Sequence, residues 1–252
     1  MASYKELIGK VAIVTGAGRN IGRAIALALA EGGASIVVNA RSNRAEAAAV
    51  AREIEAAGGK ALVNIGDVAD AAAMQAMADA AVKHFGRIDI LVNNAALRRE
   101  KSFTEMSYAE WREILDVTLD GTFHCTKACL PGLRKSGAGT IVNIGGLSAH
   151  TGAKNRAHVV TAKAGIVGFT RALAHDLAAD GIAVNCVVPG LIGTPRPHDK
   201  PEPAHHLTHQ TITGERGRPE DVAAAVRFLC GPGARYINGQ AIHANGGAYL
   251  GS

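Results

Sequence analysis

Short, unbroken apolar runs alternate along this chain with longer stretches in which apolar residues recur at helical spacing. VAIV at 11–14 is such a run and ends in Thr15-Gly16; the following segment, IGRAIALALAEGG, changes to helical periodicity and stops at Gly32-Gly33. The same alternation predicts further strands over 35–39, 60–66, 88–93, 139–146, 182–188 and 239–243. It predicts helices over 44–57, 71–85, 108–133 with a break near Gly121, 159–179 and 219–230. Apolar strands connected by helices imply right-handed crossovers and a parallel sheet covered on both faces. The expected fold is a single Rossmann-like α/β domain over 1–252, a doubly wound parallel sheet in a three-layer αβα sandwich. One stretch breaks the rhythm: 193–213 is polar and rich in Pro and His, and follows a predicted strand end where open α/β sheets bind ligands. It is read as a substrate lid.

Composition narrows this picture. Apolar residues make up 48% of the chain and aromatics only 4%, which suits helices packed closely on a sheet better than a bulky β-sandwich core. The sequence has no apolar run long enough to span a bilayer, and its first residues lack the apolar stretch of a signal peptide, so a cytoplasmic protein without membrane partners is expected. Cys125, Cys129, Cys186 and Cys230 have neither CxxC spacing nor the density of a disulfide scaffold, and are read as small buried hydrophobes. The net charge of +5 is spread along the chain without a basic block or interleaved aromatics, which excludes a nucleic-acid partner.

Candidate chemistry begins at the first strand-to-helix turn, TGAGRNIG. A glycine turn there aims backbone N–H groups and the positive end of a helix at an anion, and lets it approach the backbone closely. The ligand expected is a dinucleotide pyrophosphate. This turn is followed in order by NNAA at 93–96, IVNIGG at 141–146, TAKAG at 161–165 and VNCVVPGLIGT at 184–194. With these motifs the chain resembles the short-chain dehydrogenase/reductase family over nearly its whole length.

The resemblance implies a nicotinamide cofactor and assigns its contacts residue by residue. Thr15, Gly16 and Gly22 match the family's glycine turn together with Arg19 and Ile21, while Asn20 stands where the middle glycine usually does. Asn tolerates a left-handed backbone better than other side chains, so the turn is expected to survive. Asp67 and Val68 match the adenine contacts, Asn93 and Ala95 the element after the fourth strand, and Pro189, Gly190, Ile192 and Thr194 the nicotinamide segment. The position that usually carries an NAD-selecting acid is Ala40, followed by Arg41 and Ser42. An acid there would repel a ribose 2′-phosphate, whereas Arg41 and Arg19 can pair with one, so NADP(H) is expected.

The family's proton chemistry uses a Tyr four residues before a Lys, on one helix face. Lys163 supplies the Lys, which would also hold the nicotinamide ribose; the residue four before it is Val159. Gly146 and Thr118 occupy the positions of the usual Ser and Asn. Among neighbours that could replace the missing acid, His158 is the first candidate because imidazole titrates in the useful range. Asp120 and Ser148 are weaker. A basic set at the expected mouth, Arg98, Arg99, Lys101, Lys154, Arg156, Arg196, His198 and Lys200, suggests a small anionic substrate. His205, His206 and His209 lack a plausible further ligand, and no metal is expected. The reading is therefore an NADP(H)-dependent oxidoreductase acting on a carbonyl or conjugated enoyl compound without the usual Tyr acid, and a homodimer or homotetramer as in relatives. The alternative is a catalytically silent NADP(H)-binding sensor, scaffold or subunit.

Overall fold

The computed structural model describes residues 5–194 and 210–251. Seven parallel strands, β1 (Val11–Val14), β2 (Ser35–Ala40), β3 (Ala61–Ile65), β4 (Ile90–Asn93), β5 (Thr140–Ile144), β6 (Ala183–Pro189) and β7 (Ala241–Ala244), form one sheet in the order β3-β2-β1-β4-β5-β6-β7. The order reverses between β1 and β4, and that switch point opens a cleft beyond the carboxyl ends of the strands. The doubly wound single domain expected from the hydropathy pattern is thus the observed architecture.

Each strand faces two ways, so its alternate residues feed two cores. Ala12, Val14, Ile36, Val38, Ile90 and Val92 pack against α1 (Asn20–Glu31), α2 (Arg44–Ala56) and the last helix, α8 (Pro219–Cys230). Ile13, Val37, Leu91, Ile141 and Val184 face α3 (Ala71–Phe85), α5 (Gly121–Lys135) and the C-terminal part of α7 (Ala157–Asp176). Cys125 and Cys129 lie in this second core as free thiols, and burial pushes Cys129 up to about 12, as inert small hydrophobes require.

Two boundaries differ from the sequence reading in ways that matter for the site. The long helix begins at Ala157 rather than at residue 159, because His158 continues its buried stripe through Val159, Ala162 and Lys163 to Ile166. The expected break near Gly121 is a π-helical turn, Asp116–Asp120, that joins α4 (Tyr108–Leu115) directly to α5. Gly121 itself makes room: a Cβ there would stand 2.7 Å from Val68 Cγ2. Bulges of this kind occur often at functional sites because they reorient one side chain without ending the helix, and Thr118 sits in the middle of this one.

The first glycine turn is held by contacts that leave no room for side chains. Gly16 has φ +61° and Asn20 φ +49°, so the Asn does adopt the left-handed backbone. A Cβ on Gly22 would lie 2.2 Å from the Gly16 carbonyl oxygen and 2.6 Å from Asn94 Nδ2. Because the first obstacle is backbone, Gly22→Ala is expected to destabilise the fold by about 1–3 kcal/mol and to weaken dinucleotide binding. Thermal denaturation and a cofactor titration would show both losses together.

Candidate functional site

The turn is fixed from its far side by Asn94. Asn94 Nδ2 donates to the carbonyls of Thr15 at 2.9 Å and Gly16 at 3.1 Å. In return, Thr15 Oγ1 accepts from the Asn94 and Ala95 N–H groups, each at 3.0 Å. Asn39, buried at the end of β2, completes the frame. Its Oδ1 accepts from Gly16 N–H at 3.4 Å, while its Nδ2 donates to Asn64 Oδ1 at 2.9 Å and Gly66 O at 3.2 Å. With the turn's carbonyls so occupied, the N–H groups of the first turn of α1 remain directed at the cleft.

That cleft has a volume of about 480 Å³ and runs over β1, β2 and β4. Gly16, Arg19, Asn20, Ile21 and Gly22 form one wall, Arg41 and Ser42 an end, and Asp67, Val68 and Ala95 the opposite wall. Thr194 borders it at the end of the described segment. All eleven were assigned to the cofactor from the sequence, and the structure brings them together. Arg19 and Arg41 are both exposed at the end where α2 begins, and Asn43 caps that helix by accepting from Glu46 N–H at 3.1 Å. Two guanidinium groups beside a helix N-terminus make a seat for a dianion such as a ribose 2′-phosphate. Gly18, Asn39, Glu46, Asn94 and Leu97 also line the cleft and were missed from the sequence.

Other predicted cofactor residues stand behind the lining. Asn93 is turned into the core, where its Nδ2 donates to Asn143 Oδ1 at 2.9 Å and Thr126 Oγ1 at 3.3 Å, so its observed part is to hold β4 to β5 and α5. Pro189 O accepts from Leu147 N–H at 3.1 Å, Gly190 N–H donates to Ala244 O at 3.0 Å, and Ile192 bridges Gly217. These three tie the end of β6 to its neighbours.

The corner to which the resemblance assigns catalysis is built on α7. Lys163 is only 4% exposed, and its Nζ donates to Ile144 O at the end of β5 at 2.6 Å. Among the described residues no carboxylate pairs with it. Burial first, then Arg98 and Arg156, lower the ammonium to about 7, with the thiol of Cys186 opposing. Val159, which the resemblance sets at the position of the usual Tyr, is 2% exposed in an apolar cluster with Ile114 and Ala162, edged by Leu97, Leu115 and Leu119. Thr118 Oγ1 is buried without a hydrogen-bond partner among the described residues. A Cβ on Gly146 would meet only the Lys163 stem, at 3.7 Å, so a side chain at the Ser position would fit.

His158 is buried at the start of α7, where its Nδ1 accepts from Val159 N–H at 3.0 Å, leaving the proton of the neutral ring on Nε2. Burial lowers its pKa; among the charges acting on it, Arg156 comes first and lowers it, followed by Glu110 of α4, which raises it, and Arg99 of the loop before that helix, which lowers it. Asp120 is tied to Arg112 at 2.7 Å, Ser148 lies in the short helix α6 (Ser148–Thr151), Arg99 pairs with Glu113, and Lys101 approaches Glu105 and Glu110 at 4.0 Å. Of the basic mouth, Arg98 lines the cleft and Arg156 is buried near Lys163, whereas Arg196, His198, Lys200 and the three lid histidines fall outside the described residues.

Lys163 carries a clear linkage sign. The unfolded chain keeps its ammonium up to about 10.5, while the folded chain gives it up near 7, so burying the charge costs most at or below pH 7 and nothing beyond 10.5. Lys163→Met is therefore expected to raise the melting temperature of the cofactor-free protein by roughly 3–6 °C at pH 7. The gain should shrink as pH rises towards 10, which a melting series from pH 6 to 10 would measure.

Comparison with known proteins fits this geometry. A family model described as enoyl-(acyl carrier protein) reductase matches residues 16–249. The chain is 38% identical over 242 residues to the 3-oxoacyl-(acyl-carrier-protein) reductase FabG of Staphylococcus aureus, covering 96% of this chain and 98% of that protein. It is 39% identical over 245 residues to the 3-oxoacyl-(acyl-carrier-protein) reductase of a Synechocystis species, covering 97% and 98%. Among solved structures, a dehydrogenase/reductase from Sinorhizobium meliloti superposes with a TM-score of 0.92 at 33% identity over 99% of both chains. A short-chain dehydrogenase from Burkholderia cenocepacia in complex with NADP does so with a TM-score of 0.89 at 35% identity, covering 96% of this chain and 99% of that one. With the glycine turn, the switch-point cleft and Lys163 in place, the chain belongs to the short-chain dehydrogenase/reductase family of oxidoreductases.

Proposed function

We propose that this protein is an NADP(H)-dependent reductase of a small anionic carbonyl or conjugated enoyl compound, an acyl thioester being the favoured class, and that Lys163 supplies the proton a Tyr would otherwise give. The observation that carries this reading is the buried Lys163 ammonium, held by one backbone carbonyl, with no carboxylate partner among the described residues and about 7 as its titration point. Such a group exists in both protonation states near neutral pH, as a general acid must. The names of the FabG relatives and of the matching family model support a 3-oxoacyl or enoyl thioester. Arg19 and Arg41 beside the start of α2 support NADP(H), as does the NADP complex of the Burkholderia neighbour.

When bound, NADPH supplies a hydride to the substrate carbon. This chain's residues then have three tasks. The α1 N-terminus and the two arginines hold phosphates, Arg98 and Arg156 attract the anionic end of the substrate, and Lys163 Nζ delivers a proton to the enolate or alkoxide oxygen. His158 Nε2 is the second proton source, placed after Lys163 because burial lowers the ring from the ordinary 6.5 and so keeps it neutral near pH 7. An oligomer built on α5 and α7 is supported by Phe123, 48% exposed and 6.5 Å from Phe169 between ring centroids.

If Lys163 is the acid, reduction should slow as pH rises through about 7, with kcat/KM falling towards tenfold per unit; a profile flat from pH 6 to 9 would assign the proton elsewhere. Restoring the family residues with Gly146→Ser, Thr118→Asn and Val159→Tyr should raise turnover of a 3-oxoacyl thioester by roughly 10²-fold, provided that melting confirms the fold. Neutralising Arg98 and Arg156 together is expected to raise the substrate KM with little change in NADPH affinity. NADPH binding without its consumption on carbonyl and enoyl thioesters, in the wild type and in the restored variant alike, would instead favour the silent binding module.

A further inference from the structure

The C-terminal segment closes a cluster of rings that the reductase chemistry does not use. Beyond β7 the chain turns at Asn245, whose Oδ1 accepts from Gly247 N–H at 2.9 Å, whose carbonyl accepts from Ala248 N–H at 3.1 Å, and whose Nδ2 donates to Tyr249 O at 3.0 Å. This turn lays Tyr249 over His243 of β7 and His150 of α6, with ring centroids 5.1 and 5.2 Å away. The two imidazoles meet edge to face, 4.7 Å apart at 67°.

The same turn has a second contact. Gly246 and Gly247, at φ +60° and +77°, lie against residues 211–213; Thr213 N–H donates to Gly246 O at 3.2 Å, and a Cβ on Gly247 would stand 2.8 Å from Ile212 Cδ1. One strap, residues 245–251, therefore joins three places: the edge strand, the segment that re-enters the fold before α8, and α6. The α6 segment follows Ile144, the residue whose carbonyl holds Lys163.

The cluster accepts only neutral imidazoles. His150 Nε2 and His243 Nδ1 are buried without a hydrogen-bond partner among the described residues. A neutral ring can leave a bare nitrogen at such a place, but an imidazolium carries N–H on both nitrogens and would bury a donor with nothing to receive it. Among the described residues the surroundings offer the charge no help. α6, β7, the strap and residues 211–213 contain no acidic side chain, β6 beneath brings only the Cys186 thiol, and α7 brings Arg171 to bear on His150. We infer that His150, His243 and Tyr249 form an acid-sensitive clasp, which holds the strap against α6 and residues 211–213 while both rings are neutral and releases it when either is protonated.

The direction of the titration agrees. Burial and then Arg171 lower His150, and burial and then His150 lower His243, from the ordinary value of 6.5. Groups lowered in this way stabilise the closed strap fully above 6.5 and cease to do so as pH falls below it.

Peptide-resolved hydrogen exchange on the full chain at pH 7.5 and 5.0, corrected for intrinsic rates, tests the clasp. Protection of Thr213, Gly247 and Ala248 should fall by roughly tenfold or more at pH 5.0 while β1 and β4 keep theirs. In His150→Gln/His243→Gln the two pH values should give equal protection in the strap. Tyr249→Ala should leave it weakly protected at both. Wild-type protection unchanged at pH 5.0, or a pH-dependent loss that survives in the double variant, would overturn the inference. A proton NMR titration of the wild type adds a check independent of variant folding: both imidazoles should titrate below 6.5, and a value at or above it for either sinks the proposal.

Discussion

Asn94 is the side chain on which the cofactor cleft depends. Its amide spans from the end of β4 to the carbonyls of Thr15 and Gly16, while Thr15 Oγ1 returns two bonds to the Asn94 and Ala95 backbone. This exchange joins the two strands at the point where the sheet reverses direction, and it occupies the carbonyls that would otherwise face an anion. Gly22 must pass within van der Waals distance of both groups, which is why no side chain fits there. Replacing a bond of this kind with a buried, unpaired carbonyl costs about 1–3 kcal/mol, so the turn's shape and its anion preference are held by the same atoms.

Lys163 shows the opposite economy. Its ammonium is buried with a single backbone acceptor and with Arg98 and Arg156 as the nearest charged influences, an arrangement that weakens the folded state when the charge is present. Val159 does not compensate, because it closes an apolar cluster with Ile114 and Ala162 instead of offering a hydroxyl. The cofactor half of the site is thus fully supported by hydrogen bonds, while the reactive half concentrates its tension in one titratable nitrogen.

The site also has a frame beyond the sheet. The loop that follows β5 carries Gly146 and then α6, and α6 is covered by Tyr249 from the far end of the chain. Segments that come late in the sequence therefore border the early ones around the reactive corner, as parallel crossovers arrange in any doubly wound sheet.

By itself the sequence determined the strands, the sheet's parallel character and the glycine turn, since these follow from local periodicity and from residue types at fixed spacing, whereas the missing acid is what the family resemblance implies. It also placed Cys125, Cys129 and Cys186 in the core, with Cys230 only partly buried, and identified Arg19 and Arg41 at the cleft. Tertiary structure alone decided that Asn94 rather than Asn93 touches the turn, because adjacent residues at a strand end point in opposite directions and only the register with β1 and β5 assigns the faces. It decided that the irregularity before Gly121 is a π turn, with Val68 packed over the glycine. It brought together His150, His243 and Tyr249, whose spacing carries no periodic signal, and it set the protonation of Lys163, because desolvation depends on what surrounds a charge in space.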